Sequence, residues 1–405
     1  MATKGQTASG GSQQMSPQQQ NQMARQLILR GGQIGNTYFP PAIDVYQQLS
    51  PGLPSSPAPG SVLTFYVRNV GLVKRLTVQF KATVTAGAST TQTLTKFGLQ
   101  NLISNVSFFD LGANQRINCA GWYLNTISSA KRRRIYGAAY TTDTPNGMGN
   151  NNNRIMYAPA TIAANGSSEI DFMLEIPFVK NDTDLRGAIY ADVTQATMQV
   201  QITLNPNMFV SSTADPTLAV YQSGGSDLAS LSNLSWQVTQ NYLDQLPRVN
   251  GAPILPNLDV GQAYLLNTTA SGLPIVNQDN GYAFINARTY ESIAFYYDNN
   301  GTLNVNGTDI NYVNLTSANF TNILNLNPKF LGLMDRNVLM DDFPAGMYYL
   351  DFRHRPLDTN QYGNCQLIIN PSSVGGSAAY FGYGTEAFGV IGLVNQGGSL
   401  PMGGG

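Results

Sequence analysis

The chain's one histidine, His354, stands between two arginines in Arg353-His354-Arg355. The flanking cations disfavour its protonated form. Nothing local supplies the acid that would orient the ring, so a serine or cysteine triad has no base to build on. His354 reads as a surface or interface residue. Glu169, Asp171 and Glu175 could supply the carboxylate pair of a glycosidase. They alternate with Ile170, Phe172, Leu174 and Ile176, however, which makes them the wet face of a strand. Asp182-Thr183-Asp184 and Asp341-Asp342 offer hard oxygen ligands, but neither has the spaced ligand set of a calcium loop. Neither a metal nor a cofactor is called for, and the chain is not expected to be an enzyme.

The glycine-rich stretches Gly31-Gly32-Gln33-Ile34-Gly35 and Gly382-Tyr383-Gly384 do not lead into the Gly-Lys-Ser/Thr of a phosphate loop. Both read as flexible or turn segments. Lys131-Arg132-Arg133-Arg134 is the one basic cluster. It offers a contact to phosphate, in a lipid head group or a genome, or a salt-bridge partner for a neighbouring subunit. Cys119 and Cys365 lie far apart without metal-ligand spacing and read as buried free thiols of a reducing cytoplasm.

Composition narrows the function further. Charged residues make up 11% of the 405, and the 22 basic and 23 acidic side chains nearly cancel, where a soluble protein usually carries about a quarter. The polar surface must come from Asn, Gln, Ser and Thr. Such a surface repels its own copies weakly and lacks the clustered Lys and Arg that nucleic acid demands, so self-association is expected and specific nucleic-acid binding is not. A hydrophobic content of 42%, with 21 Tyr and 17 Phe, is ample for folded cores. No apolar run approaches the roughly 20 residues needed to span a bilayer, and residues 1–10 lack the apolar core of a signal peptide. Synthesis in the cytoplasm is the expectation.

The elements that must carry these residues are strands. From Ser61 onward, period-two alternation recurs in short runs such as Leu76 to Val84, Ile170 to Ile176 and Met198 to Leu204. Asn-Gly pairs at Asn146, Asn165, Asn250, Asn280, Asn300 and Asn306 supply turns, because both residues tolerate positive φ. A weak internal echo links Asp182-Thr183-Asp184-Leu185-Arg186-Gly187, ahead of a strand closing on Asn205-Pro206, with Asp358-Thr359-Asn360-Gln361-Tyr362-Gly363, ahead of one closing on Asn370-Pro371. Between the halves, three prolines and a glycine within residues 247–256 disfavour helix and central strand and mark a domain boundary. The expected class is therefore all-β, with two consecutive sandwiches or jelly rolls.

Residues 1–60 read as an N-terminal arm. Ser16-Pro17 starts a helix over about residues 17–30, which Gly31-Gly32 ends, and Met23, Leu27 and Ile28 share an apolar stripe on it. With Arg25, Arg30 and no acid before Asp44, the arm is positive and suited to anionic lipid.

Several segments resemble one family. Asn241-Tyr242-Leu243-Asp244-Gln245-Leu246-Pro247, Gly307-Thr308-Asp309-Ile310-Asn311-Tyr312, Asp342-Phe343-Pro344-Ala345-Gly346-Met347-Tyr348-Tyr349 and Gln361-Tyr362-Gly363-Asn364 are similar, in the same order, to the major capsid protein of tectiviruses, membrane-containing icosahedral phages of Gram-negative bacteria. Val70 to Lys74 and Ala158 to Ala164 add to the likeness, which spans about residue 60 to residue 371. The resemblance implies a double jelly roll, with a first barrel over 61–246, a second over 247–395 and a flexible Gly-rich tail over 396–405. It further implies homotrimeric, pseudo-hexagonal capsomers in a shell around an internal membrane, with membrane lipids, vertex (penton) proteins and minor capsid proteins as partners. The arm residues Met23, Arg25, Leu27, Ile28 and Arg30 would then face the membrane. A host-recognition or carbohydrate-binding β-sandwich of spike type is the alternative, since the many tyrosines could serve a sugar site.

Overall fold

The computed structural model describes residues 43–49 and 57–390, except 96, 128–155, 183, 193–195, 212–218, 247, 254–261, 272–276, 300–307, 320–322, 329–330, 332–346, 353–354 and 373–379. Alternating sequence becomes alternating burial. In the strand Leu72–Thr85 the side chains of Leu76, Val78, Phe80, Ala82 and Val84 are buried and those between them face outward. One face of such a strand must therefore find a second sheet.

In the first half, one sheet has the order β1 (Ile43–Leu49), β14 (Ser230–Asp244), β3 (Leu72–Thr85), β9 (Ser167–Pro177), β7 (Met156–Tyr157), with β10 (Ile189–Tyr190) also on β3. Facing it runs β2 (Val62–Val67), β11 (Met198–Leu204), β5 (Ile103–Phe109), β6 (Gln115–Cys119). All these pairings are antiparallel. Phe65 of β2 meets Trp236 of β14 edge-on, with ring centroids 5.3 Å apart, and Trp236 stacks on Phe80 of β3. Those rings join the two layers.

The second half repeats the plan. One sheet has β17 (Gln262–Ser271), β25 (Tyr380–Val390), β19 (Arg288–Asp298) and β22 (Met347–Asp351), with β23 (Leu357–Asp358) on β19. The other has β18 (Asn280–Ala283), β24 (Cys365–Pro371), β20 (Ile310–Ser317) and β21 (Leu324–Leu326). Ile293, Phe295, Tyr297, Val313, Leu315, Leu367, Ile369 and Phe381 form its core. Each half is a jelly roll, and strand for strand β1, β14, β3, β9 and β10 match β17, β25, β19, β22 and β23, while β2, β11, β5 and β6 match β18, β24, β20 and β21. A small sheet of β12 (Phe209–Ser211), β13 (Tyr221–Ser223), β4 (Gln92–Leu94) and β8 (Thr161–Ile162) covers one end of the first half.

Four readings of the sequence change. The arm expected through residue 60 gives up β1 to the first sheet, where Ile43↔Asp244 through Leu49↔Val238 pair in register and Leu49 enters the core. The Pro-rich connector contains a hairpin, β15 (Arg248–Val249) with β16 (Ala252–Pro253), because Asn250 and Gly251 both take positive φ, 52° and 83°, and so form a tight turn. Asn280-Gly281 is no turn; it lies within β18, paired to Ile369 and Ile368. Gly382-Tyr383-Gly384 is no turn either, but the middle of β25 between β17 and β19. A Cβ at Gly382 would come within 2.4 Å of the Tyr296 ring, and one at Gly384 within 2.2 Å of the Tyr123 ring, both far inside van der Waals contact. The glycines stand there because aromatic rings lie flat against the strand.

Candidate functional site

The two jelly rolls share a sheet. β6 of the first pairs with β17 of the second in parallel, Ile117↔Leu266 and Asn118↔Asn267, giving one nine-stranded sheet. β6 leads into helical residues 121–127, whose Trp122 and Tyr123 are driven onto β25 and β19 of the second half. Trp122 and Phe97 both meet Tyr296 of β19 edge-on, at 5.2 and 5.3 Å between ring centroids. Met347 Sδ accepts from the Thr126 hydroxyl at 2.9 Å, and Thr268 Oγ1 accepts from the Ala120 N–H at 2.9 Å. β19 is consequently dry on both sides: Ile293, Phe295 and Tyr297 face its own core, while Ala294 and Tyr296 belong to the core of the first half. Each of these buried aromatics contributes on the order of 2 kcal/mol by burial alone.

Charges cross the same seam. Glu291, fully buried in the bulge of β19, accepts from Lys180 Nζ at 2.6 Å and from Arg186 at 3.5 Å, both cations coming from the first half. Arg186 also pairs with Asp184 at 2.6 Å, and its guanidinium lies 4.2 Å over the ring of Phe388. Burial pushes the Asp184 carboxyl up, but the hydrogen bond and charge of Arg186 outweigh it and hold the group below the ordinary carboxylate value. Glu386 on β25 is buried and accepts from Ser292 at 2.6 Å and from the Tyr264 hydroxyl. Burial, then the Glu386 charge, push the Tyr123 and Tyr264 phenols upward, so both stay neutral.

A cleft of about 320 Å³ opens beside the seam, floored by Ile103, Trp122 and Tyr296 and rimmed by Asn101, Asn205 and Thr268. Among the described residues, its lining holds no carboxylate, histidine, lysine, arginine or cysteine.

The first jelly roll's two outer faces differ in chemistry. On the sheet of β3 and β9, Arg75 lies 3.6 Å from Glu175 and Lys81 lies 3.7 Å from Asp171. On the opposite sheet the cross-strand rows are Tyr66–Gln199–Phe109, Thr64–Gln201–Ser107 and Val62–Thr203–Asn105. That face carries no charge in those rows. Its amides and hydroxyls satisfy one another in part, as where Asn105 and Gln115 both donate to Ser107 Oγ, at 3.1 and 3.2 Å. Covering it removes no ion from water, which makes it the cheaper of the two faces to bury.

The residues singled out in the sequence separate accordingly. Glu169, Asp171 and Glu175 do line the outer face of β9. Asp182 is engaged by Lys74 and Arg75, and Asp184 by Arg186, so both serve ion pairs. Cys119 and Cys365 are buried free thiols, each pushed up by that burial and so poor nucleophiles at neutral pH. Among the described residues no cluster of His, Cys, Asp and Glu could hold a metal. Met23, Arg25, Leu27, Ile28, Arg30, Lys131, Arg132, Arg133, Arg134, Asp341, Asp342, His354 and the Gly31 stretch lie outside the described residues. The seam itself escaped sequence reasoning. Its signal was the unbroken apolar run from Ile293 to Tyr297, which leaves a strand no wet face, and the glycines two apart in β25.

Models described as P3 major capsid protein N-terminal and P3 major capsid protein C-terminal match residues 2–246 and 262–400. The major capsid protein P3 of Enterobacteria phage PRD1 is 34% identical over 373 residues, 90% of this chain and 93% of its own. Among solved structures, the fold is similar to the MCP of STIV, the Sulfolobus Turreted Icosahedral Virus, with a TM-score of 0.59 at 11% identity over 86% of this chain and 97% of that one. It is also similar to the PBCV-1 virus capsid, with a TM-score of 0.55 at 10% identity over 86% and 94%.

Proposed function

The chain belongs to the family of P3 major capsid proteins, and on that premise we propose that three copies close into a six-lobed trimer, the building unit of an icosahedral shell around a lipid membrane. As a member of the family it is a major capsid protein, a structural subunit of the virion that assembles with itself into a lattice and not an enzyme. The trimer is supported above all by the duplicated jelly roll, since two equivalent barrels fused by one seam give six equivalent lobes from three chains. The uncharged face of the β2 sheet supports close contact between copies. The domain division at the Pro-rich stretch is supported by the interval between the two matched models, residues 247–261.

The arm of residues 1–42 lies toward the membrane, with Met23, Leu27 and Ile28 as apolar contacts and Arg25 and Arg30 toward head groups, each basic residue adding about 1 kcal/mol near an anionic surface. Lys131 to Arg134 contacts phosphate or a neighbouring subunit, and vertex and minor capsid proteins complete the shell. Buried free thiols accord with synthesis in the bacterial host's cytoplasm.

Light scattering with negative-stain imaging of the purified protein tests the trimer. Six-lobed particles of three-chain mass are expected, and a monomer or an elongated stalk overturns the reading. For the membrane, the full chain should float with anionic vesicles at low salt, and a chain lacking residues 1–30 should not. Equal flotation of the two would remove the arm's role.

A further inference from the structure

The first jelly roll holds a lysine, Lys74, that is wholly buried. The backbone puts it there. On β3, Val73 and Arg75 pair with successive residues of β14, Tyr242 and Asn241, so Lys74 is the extra residue of a bulge. A bulge sets two residues opposite one partner and re-aims a side chain out of the alternation. Lys74 thereby reaches the same acid as Arg75, Asp182, on the side of the sheet where Asn241 lies buried.

Strand β1 lays a second carboxylate between the two. Asp44 Oδ2 accepts from Lys74 Nζ at 2.9 Å and Asp44 Oδ1 accepts from Asn241 Nδ2 at 2.6 Å, so an amine and a primary amide share one carboxylate. Asn241 Nδ2 also donates to the Val45 carbonyl at 3.2 Å, which fixes the end of the amide that faces Asp44. Asp182 lies farther from Nζ, at 3.4 Å, and is engaged by Arg75. Asn241 Oδ1 and Arg75 Nε, on residues paired directly across the two strands, are both buried without a hydrogen-bond partner among the described residues.

We propose that Lys74 and Asn241 join in an intramolecular isopeptide bond, with Asp44 as the acid–base group. Burial disfavours the ammonium and so favours the amine that attacks. Nζ hands one proton to Asp44 Oδ2, and the neutral amine forms a bond to Asn241 Cγ. Asp44 delivers that proton from Oδ1 to Nδ2, and the Cγ–Nδ2 bond breaks with its electron pair on nitrogen. The second proton lost by Nζ leaves with the ammonia as ammonium. No water, oxidant or further reactant is consumed. Holding amine and amide on one carboxylate replaces a collision by a fixed encounter, and the charge that develops on Oδ1 arises on the side of the Arg75 guanidinium. The product staples β3 to β14 and closes a loop that contains every strand between them. A cross-link over a loop of that length restricts the unfolded chain. The inference is independent of the trimer.

Mass spectrometry of the denatured full-length chain, after the folded protein has been incubated until its mass is constant, tests the bond. The chain should weigh one ammonia less than its sequence. A tryptic digest should contain residues 69–75 joined to residues 187–248, because trypsin does not cut after an acylated lysine. Full mass with a free peptide of residues 69–74 overturns the proposal. A deficit without the joined peptide, or one that persists in Lys74→Arg, belongs to a succinimide at an Asn-Gly pair and overturns it too. Asp44→Asn, shown by circular dichroism to be folded, should slow the joining by roughly a hundredfold. An unchanged rate removes Asp44 from the reaction.

Discussion

The seam between the jelly rolls and the outer face of β3 and β9 use the same residue types to different effect. Lys180 and Glu291 sit 2.6 Å apart with the carboxylate wholly buried, whereas Lys81 and Asp171 sit 3.7 Å apart with the lysine side chain 64% exposed. Removing a partner at the seam strands a charge away from water; removing one outside returns its neighbour to solvent. Aromatic packing differs in the same sense. Tyr123 and Tyr296 lie against glycines that leave no spare volume, while Tyr66 on the outer rows stands in water. The seam is thus specified by fit, and the outer faces are left free for contacts that form only on assembly.

Three substitutions sharpen or break that contrast. Lys180→Met should destabilise the folded chain by roughly 3 kcal/mol in denaturant unfolding, because Glu291 keeps only the longer contact to Arg186. Adding Glu291→Gln should recover part of the loss; if Lys180→Met costs no more than a surface change, the seam is wetter than its geometry implies. Gly384→Ala should cost about 2 kcal/mol in the same measurement, since the new methyl displaces the Tyr123 ring from a packed strand. An unchanged melt would mean that the ring shifts freely. Lys81→Ala should cost no more than about 0.5 kcal/mol and respond to salt, as an exposed pair does. A loss as large as that of Lys180→Met would erase the distinction between the two regions.

Much of the fold was legible in the chain. Alternation located β3, β9 and β11, and Asn250-Gly251 formed a turn as its residues demand. The duplication was legible only faintly. The echo between Asp182–Gly187 and Asp358–Gly363 falls between β9 and β10 in one half but between β23 and β24 in the other, one short strand out of step. The repeat is a repeat of strand order, carried by residues that differ at nearly every position. The pairing of Lys180 and Arg186 with Glu291 had no sequence signal, for Glu291 lies more than a hundred positions from either and meets them only when the halves dock.

What the sequence by itself determined is local: which runs are strands, which faces are dry, where turns of positive φ sit, and that so few charges and one histidine leave little for catalysis. Those properties are fixed by side-chain size, polarity and backbone freedom within a few residues. What only the tertiary structure decided is which strand edges meet, that β19 is buried on both sides, and which wet faces remain free for other copies. A strand's alternation says that one face must be covered but is the same whichever strand covers it, so partner and order come from the summed fit of segments distant in the chain.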